Sequence, residues 1–445
     1  MPSEVRTDVI IIGAGVAGLA AARRLREHDV RCTILEARAR IGGRVFTTRD
    51  PRTSVPIELG AEFIHGDAPE LTDIARQAGL TAVDITGERW VAAHGRLTAL
   101  PDFWDRIDHV LGKAKASREQ DRPLSALLAE RPGGRRFARD RTLAREFVEG
   151  FHAAELDRIS ERAIATGGNP GDDPDAQRMA RFVDGYGAVV DWLAAPVRGD
   201  VRWEHVVDRV EWSPGEVHVH AASPGSAGEG FAARAAIITL PVSLLHGGAR
   251  GPGAVAFSPD VTTIRDAASL VAMGQVRRIA LLLDRPLLAL LDERRREQLA
   301  QLTFIHARGE QVPVWWTSFP LRTNLVIGWA GGPAAIALET EGDDLAARAV
   351  ASLASALDLD RRRLARHVVE SFTHDWGRDP FARGAYSYPL VGGASAAREL
   401  ARPVRRTLFF AGEATDEEGR TATVHGAIAT GYRAAEQVAR AFTRR

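Results

Sequence analysis

Four residues near the start of the chain have the types and spacing to hold a dinucleotide. Gly13, Gly15 and Gly18 form a GxGxxG run, and Glu36 stands 23 residues after Gly13. The three glycines serve different ends. The first permits a tight turn, the second lets the backbone approach a pyrophosphate, and the third lets a helix close on a strand. The N-terminus of the helix that follows, with Val16 and Ala17 in the turn before it, offers unpaired N–H groups and a positive dipole end to phosphate. An acid at the end of the next strand accepts a hydrogen bond from a ribose hydroxyl. The flanking residues predict the elements this site needs. Asp8–Ile12 is a short β-branched apolar run, read as a buried strand, Leu19–Leu25 reads as helix, and Arg31–Leu35 as a second strand. The order strand, glycine turn, helix, strand, acid is that of a dinucleotide site. On its own it also fits a ligand-free βαβ unit, and it does not separate FAD from NAD.

The residues after Glu36 make that separation. Ala37-Arg38-Ala39-Arg40-Ile41-Gly42-Gly43-Arg44 offers two more glycines for close backbone approach and an arginine for a charge-assisted bond to phosphate. This stretch resembles the second glycine motif of the flavin amine oxidase superfamily, which includes monoamine oxidases, polyamine oxidases, flavin histone demethylases and L-amino-acid oxidases. Pro56–Gly66 resembles that family's Gly-Ala-x-x-x-His-Gly stretch. Ala411-Gly412-Glu413, followed by Thr423–Ala435, resembles its C-terminal signature. The match runs through the whole chain in order and is sharpest over residues 8–66 and 384–435.

The resemblance implies an α/β fold: a Rossmann-like FAD-binding domain with an inserted α+β substrate domain. Residues 1–66, 176–250 and 385–445 are the expected FAD segments. Residues 67–175 form a helical part of the substrate domain and 251–384 its sheet part. Gly60, Ala61, Glu62 and Phe63 are expected beside the flavin ring, with His65 facing the active site. For Glu62 and His65 the alternative is that they satisfy backbone groups at a strand end. Val207 is expected at the adenine, Gly412 and Glu413 at the ribityl–pyrophosphate, and Thr423 and Val424 at the pyrimidine edge. Trp376 belongs to the Trp…Gly-x-Tyr segment, in which Tyr386 forms one wall of an aromatic cage. Ala385 stands where mammalian monoamine oxidases carry the cysteine that binds FAD covalently, so non-covalent FAD is expected. The second cage aromatic falls on Thr423. A lysine that holds water against flavin N5 in many members falls on Arg278, and the only lysines are Lys113 and Lys115. Arg278 is expected to anchor a water, a substrate oxygen or a substrate acid near N5. The alternative is that it pairs with a nearby acid away from the flavin.

Strand alternation puts Trp316 with Ser318 on one face, and Trp329 with Leu325 and Ile327. The resemblance makes this sheet the pocket floor, with both tryptophans either core or substrate wall. Residues 68–165 read as mainly helical, with no chemistry assigned, and Gly167–Asp175 as a loop. The chain has 445 residues, 58 acidic and 58 basic, which suits two soluble domains and gives no basic excess for nucleic acid or a membrane surface. Cys32 is the only cysteine, so no disulfide framework or CxxC metal site exists. His218 and His220 lack a third ligand and read as exposed strand residues; no metal is expected. Residues 1–7 are too short and polar for a signal peptide, and no run is long and apolar enough to span a bilayer, so a cytoplasmic location is expected. The implied reaction moves hydride from the carbon beside an amine nitrogen to flavin N5. Imine hydrolysis follows, and O2 is reduced to H2O2. The partners are then a small-molecule amine and O2. Two alternatives stand: a flavin desaturase or dehydrogenase acting on carbon–carbon bonds, and a non-catalytic flavin-binding protein.

Overall fold

The computed structural model describes residues 5–167, 177–223, 225, 228–340 and 344–443. Beyond Gly167, the loop expected up to Asp175 lies outside the described residues. Val9–Ile12 is buried along its whole length, as its unbroken apolar run requires of a strand covered on both faces. It sits in the middle of a five-stranded parallel sheet, ordered Val201–Arg202, Cys32–Leu35, Val9–Ile12, Ala235–Ile238, Leu408–Phe410. Strands from the beginning, middle and end of the chain thus share one layer. Helix Val16–Glu27 and the C-terminal helix Val424–Thr443 cover one face together. Gly431 lets them meet. A Cβ there would come within 2.3 Å of the Ala17 carbonyl oxygen, so this glycine fits against the first helix and not against the sheet. On the other face lies a second sheet, ordered Val5–Arg6, Glu229–Ala233, Glu216–Ala222, Val206–Ser213, Ala256–Ser258. Ile10, Ile12, Val217 and Phe231 fill the space between the two sheets.

The rest of the molecule is built on a seven-stranded sheet. Its order is Val368–Thr373, Val276–Leu283, Leu325–Gly331, Val314–Thr317, Leu302–Ala307, Glu88–Ala93, Arg96–Ala99. The last two strands correct the helical reading of residues 68–165. Helices Pro69–Ala78, Phe103–Leu111 and Ala138–Phe151 are there, but so is this hairpin. Its two-residue turn, His94-Gly95, has positive φ at both positions (50° and 72°), the geometry that suits the twist of a tight hairpin. Trp90 and Ala92 alternate into the core. The strand's parallel partner, Leu302–Ala307, lies more than 200 residues further along the chain. Among the described residues, no helix is long and apolar enough to cross a membrane, and no cluster of three or more His, Cys, Asp or Glu could hold a metal.

Candidate active site

A cavity of about 1170 Å³ lies between the parallel sheet and the seven-stranded sheet. That exceeds the roughly 300–1,000 Å³ of a site for one drug-sized ligand, so it has room for a dinucleotide and a substrate. Every site residue expected from the sequence lines it except Gly18. Gly18 is a packing residue: a Cβ there would stand 2.0 Å from the Gly13 carbonyl oxygen.

At the dinucleotide end, two glycine turns touch. Gly15 and Gly42 form a parallel bridge, and Gly42 N–H donates to the Ala14 carbonyl at 2.9 Å. A Cβ on Gly43 would come within 3.2 Å of Gly15 Cα. Helix Val16–Glu27 starts without a side-chain cap, so its first N–H groups face the cavity. Glu36 shapes this turn itself. Its Oε2 accepts from Ala14 N–H at 2.7 Å and its Oε1 from Arg38 N–H at 2.9 Å. Burial raises its carboxyl above the ordinary value, against those two N–H groups. Arg44 joins the two ends of the chain, donating to the Ala385 carbonyl at 3.0 Å and to Glu413 Oε1 at 2.8 Å. Glu413 Oε2 accepts from Ser387 Oγ (2.6 Å) and Ala422 N–H (2.9 Å). Gly412, at φ +132°, has nothing within 4 Å of where its Cβ would be. An uncapped helix start, two touching glycine turns and a flanking arginine are the donor set and clearance that a pyrophosphate needs. Thr423 Oγ accepts from Gly426 N–H at 3.0 Å and so caps the C-terminal helix; it supplies no ring.

At the other end, Glu62 does not serve backbone groups. Its Oε2 meets Arg278 Nη2 at 2.6 Å, its Oε1 meets Arg181 Nη1 at 3.0 Å, and Trp316 Nε1 donates to Oε2 at 3.1 Å. Burial would raise this carboxyl, but the two guanidiniums and Trp316 outweigh it and hold it low. Arg278 therefore does pair with an acid, and it lines the cavity as well. His65 lies edge-on to Phe63 and Phe151. Burial, then His425 and Arg89, lowers it to about 4, so it is neutral at pH 7. Tyr386 and Trp329 are nearly parallel, with centroids 6.4 Å apart. Each is tied to the helix Ala138–Phe151: Tyr386 OH donates to the Phe151 carbonyl at 2.6 Å and Trp329 Nε1 to the Gly150 carbonyl at 2.9 Å. The ring that faces Tyr386 is thus Trp329, and position 423 supplies none. Trp376 Nε1 donates to the Leu59 carbonyl at 2.8 Å.

Sequence reasoning missed the far end of the cavity, where Arg89, Phe103, Trp104, Glu146, Phe147 and His306 line the wall. The alternation through Trp90 and Ala92, closed by His94-Gly95, was the available signal for the strand that carries Arg89.

The family model described as flavin containing amine oxidoreductase matches residues 16–439. Probable polyamine oxidase 4 of Arabidopsis thaliana is 27% identical over 478 residues, covering 98% of this chain and 88% of that protein. Lysine-specific histone demethylase 2 of Homo sapiens is 26% identical over 465 residues, covering 97% of this chain and 53% of that protein. Among solved structures, wild-type putrescine oxidase bound to putrescine superposes with a TM-score of 0.80 at 20% identity, over 98% of this chain and 99% of that one. Cyclohexylamine oxidase from Brevibacterium oxydans IH-35A gives 0.78 at 20% identity, over 98% and 100%. At such identity these structures show a shared fold.

Proposed function

Since the chain belongs to the flavin-containing amine oxidoreductase family, we propose that it is an FAD-dependent amine oxidase acting on a small amine, with dioxygen as electron acceptor. The observation that carries this reading is a single cavity joining two sites: the Gly15–Gly43 cradle, and the chamber walled by Trp329 and Tyr386. FAD held in the cradle supplies the hydride acceptor at N5 and, reoxidised by dioxygen, the route to hydrogen peroxide. Val16, Ala17, Gly43 and Arg44 would hold its pyrophosphate, Glu36 its ribose, and Gly60–Phe63 would flank its ring. The chain's own task is to orient the amine and exclude water. The faces of Trp329 and Tyr386 attract an amine nitrogen and turn its Cα–H toward the ring. A guanidinium offers only hydrogen-bond donors in a fixed fork, so Arg278 serves to anchor an oxygen or a water and not to relay a proton. The substrate amine is then deprotonated by solvent or on binding, before hydride leaves. The imine hydrolyses to an aldehyde or ketone. Ala385 offers no thiol, so no covalent bond to the flavin forms at that position.

Purified protein tests this directly. It is expected to be yellow, to release its colour into the supernatant on acid precipitation, to bleach anaerobically with an amine, and to form peroxide in air. Colour kept in the pellet overturns non-covalent binding. Bleaching by carbon–carbon substrates and by no amine overturns amine oxidation.

A further inference from the structure

The cavity floor is one face of the seven-stranded sheet, and strand pairing sets its residues in two lateral rows. Arg278, Trp329, Val314 and His306 stand opposite one another in successive strands. Ile327, Trp316, Phe304 and Arg89 form the next row. Arg278, whose Nη1 donates to the carbonyl of Gly60, marks the end expected to hold the flavin ring, and Arg89 the remote end. Four strand spacings separate them, about 19 Å at the backbone.

The two arginines are in opposite circumstances. Arg278 is neutralised by Glu62 at 2.6 Å. Arg89 faces no carboxylate among the described residues. Its guanidinium lies over the rings of Phe304 (4.5 Å), Phe103 (4.7 Å) and Trp104 (5.5 Å). Its Nη2 reaches only the sulfur of Met179, at 3.8 Å. The neighbouring acid, Glu146, is taken by Arg308 at 2.9 Å. Burial lowers Arg89 to about 10, which leaves it charged at neutral pH. Arg89 is half-buried and lines the cavity; ring faces attract a guanidinium but leave its in-plane N–H donors free to meet a ligand there. A guanidinium fork matches a carboxylate in charge and shape.

We propose that Arg89 docks a carboxylate at the end of the substrate remote from the oxidised amine. The substrate is then an amino acid whose amine and acid are separated by an apolar or aromatic body. This rests on the amine-oxidation reading above. A carboxylate on the reacting carbon would lie at the Arg278 end instead. A diamine or polyamine would bring its second ammonium toward a guanidinium.

The test compares holoenzyme and its Arg89→Gln and Arg89→Lys variants on three series of equal chain length: n-alkylamines, ω-aminocarboxylates and α,ω-diamines. Wild type is expected to favour the aminocarboxylate over the alkylamine by about ten- to a hundred-fold in kcat/KM, chiefly through KM. Arg89→Gln should bring that ratio close to one, and Arg89→Lys, which keeps the charge without the fork, to a value between. Equal efficiencies in wild type, a preference for diamines, or a ratio unmoved by Arg89→Gln overturns the proposal. A second arm needs no turnover. Alkyl and arylalkyl carboxylates are titrated into the holoenzyme and followed by the flavin's visible spectrum. Arg89→Gln is expected to weaken their binding at least ten-fold. If no amine bleaches the flavin, amine oxidation falls, and this arm alone decides the subsite: carboxylate affinity unchanged by Arg89→Gln refutes it.

Discussion

Glu62→Gln removes the anion that lies between two buried guanidiniums. In the wild type its carboxylate holds Arg278 at 2.6 Å and Arg181 at 3.0 Å, and all three side chains are nearly inaccessible to solvent. Removing one partner of a buried ion pair costs about 3–5 kcal/mol, because the charge left behind has neither water nor counter-ion. For 445 residues, an unfolding entropy of about 2.1 cal/mol/K per residue sums to about 0.9 kcal/mol/K, so this cost lowers Tm by about 3–5 °C if the chain unfolds as one unit. Arg278→Met should cost less, about 1–2 kcal/mol and 1–2 °C. Glu62 there keeps Arg181 and the Trp316 Nε1 donor. Arg278 and Arg181 hold the Glu62 carboxyl below its ordinary 4.5 against the effect of burial. The folded form therefore binds fewer protons than the unfolded one. The stabilisation is complete above about pH 4.5 and is lost as pH falls through the lower, folded value. The gap between wild type and Glu62→Gln should narrow accordingly in acid. Thermal unfolding of the holoenzymes at pH 7 and pH 4, followed by near-UV circular dichroism and flavin fluorescence, measures both effects. A Glu62→Gln variant within 1 °C of wild type at pH 7, or an Arg278→Met variant less stable than Glu62→Gln, refutes the reasoning.

Two glycines of the first turn should fail in different ways. Gly18→Ala drives a Cβ to 2.0 Å from a backbone oxygen and is expected to lower Tm and soluble yield. Gly15→Val has only Gly43 Cα nearby, at 3.9 Å, and extends toward the phosphate cradle. It should keep a native circular dichroism spectrum and lose bound flavin; equal flavin content in both variants would contradict this. With an alkylamine, kcat/KM should rise between about pH 7 and 9 as substrate ammonium deprotonates. His65, lowered to about 4 by burial and then by His425 and Arg89, is neutral throughout that range. Whatever His65→Gln does to the rate, the midpoint of the rise should stay. A flat wild-type profile, or a midpoint displaced by a full pH unit in the variant, rules this out.

The parallel sheet and its phosphate cradle were readable because their signals are local. The Val9–Ile12 run, the Gly13–Gly18 turn and Glu36 fall within 28 residues, and the bond from Ala14 N–H to Glu36 that shapes the turn lies inside that window. Glu62 was legible as a residue of the cavity wall but not as an ion-pair partner, because Arg278 is 216 positions away and only the sheet brings them together. The position of Arg278 was found by counting along its strand. Its neighbour could not be. Arg89 was invisible for a related reason. Its strand is six residues long, sits among helices in sequence, and acquires its meaning from Leu302–Ala307. Alternation put Trp329 on one face with Leu325 and Ile327, and the family resemblance made that sheet the pocket floor. Its pairing with Tyr386 depends on the helix Ala138–Phe151, whose last carbonyls hold both rings.

The bond from Arg44 to Glu413 spans 369 positions. A ribosome adding about 5–20 residues per second needs roughly 20–70 s to make the second partner after the first. For roughly the first half of that interval the Val9–Ile12 strand lacks its neighbour Ala235–Ile238, and throughout it lacks the C-terminal helix that covers its face. The nascent chain therefore carries a fully apolar strand with an open edge until Ala235–Ile238 is made, and the cavity's glycine-lined end closes only after Gly412 and Val424 have left the exit tunnel. Flavin uptake is expected for this reason to be a late event, timed by Leu408–Phe410 and Val424–Thr443 and not by the glycine motif that announces it.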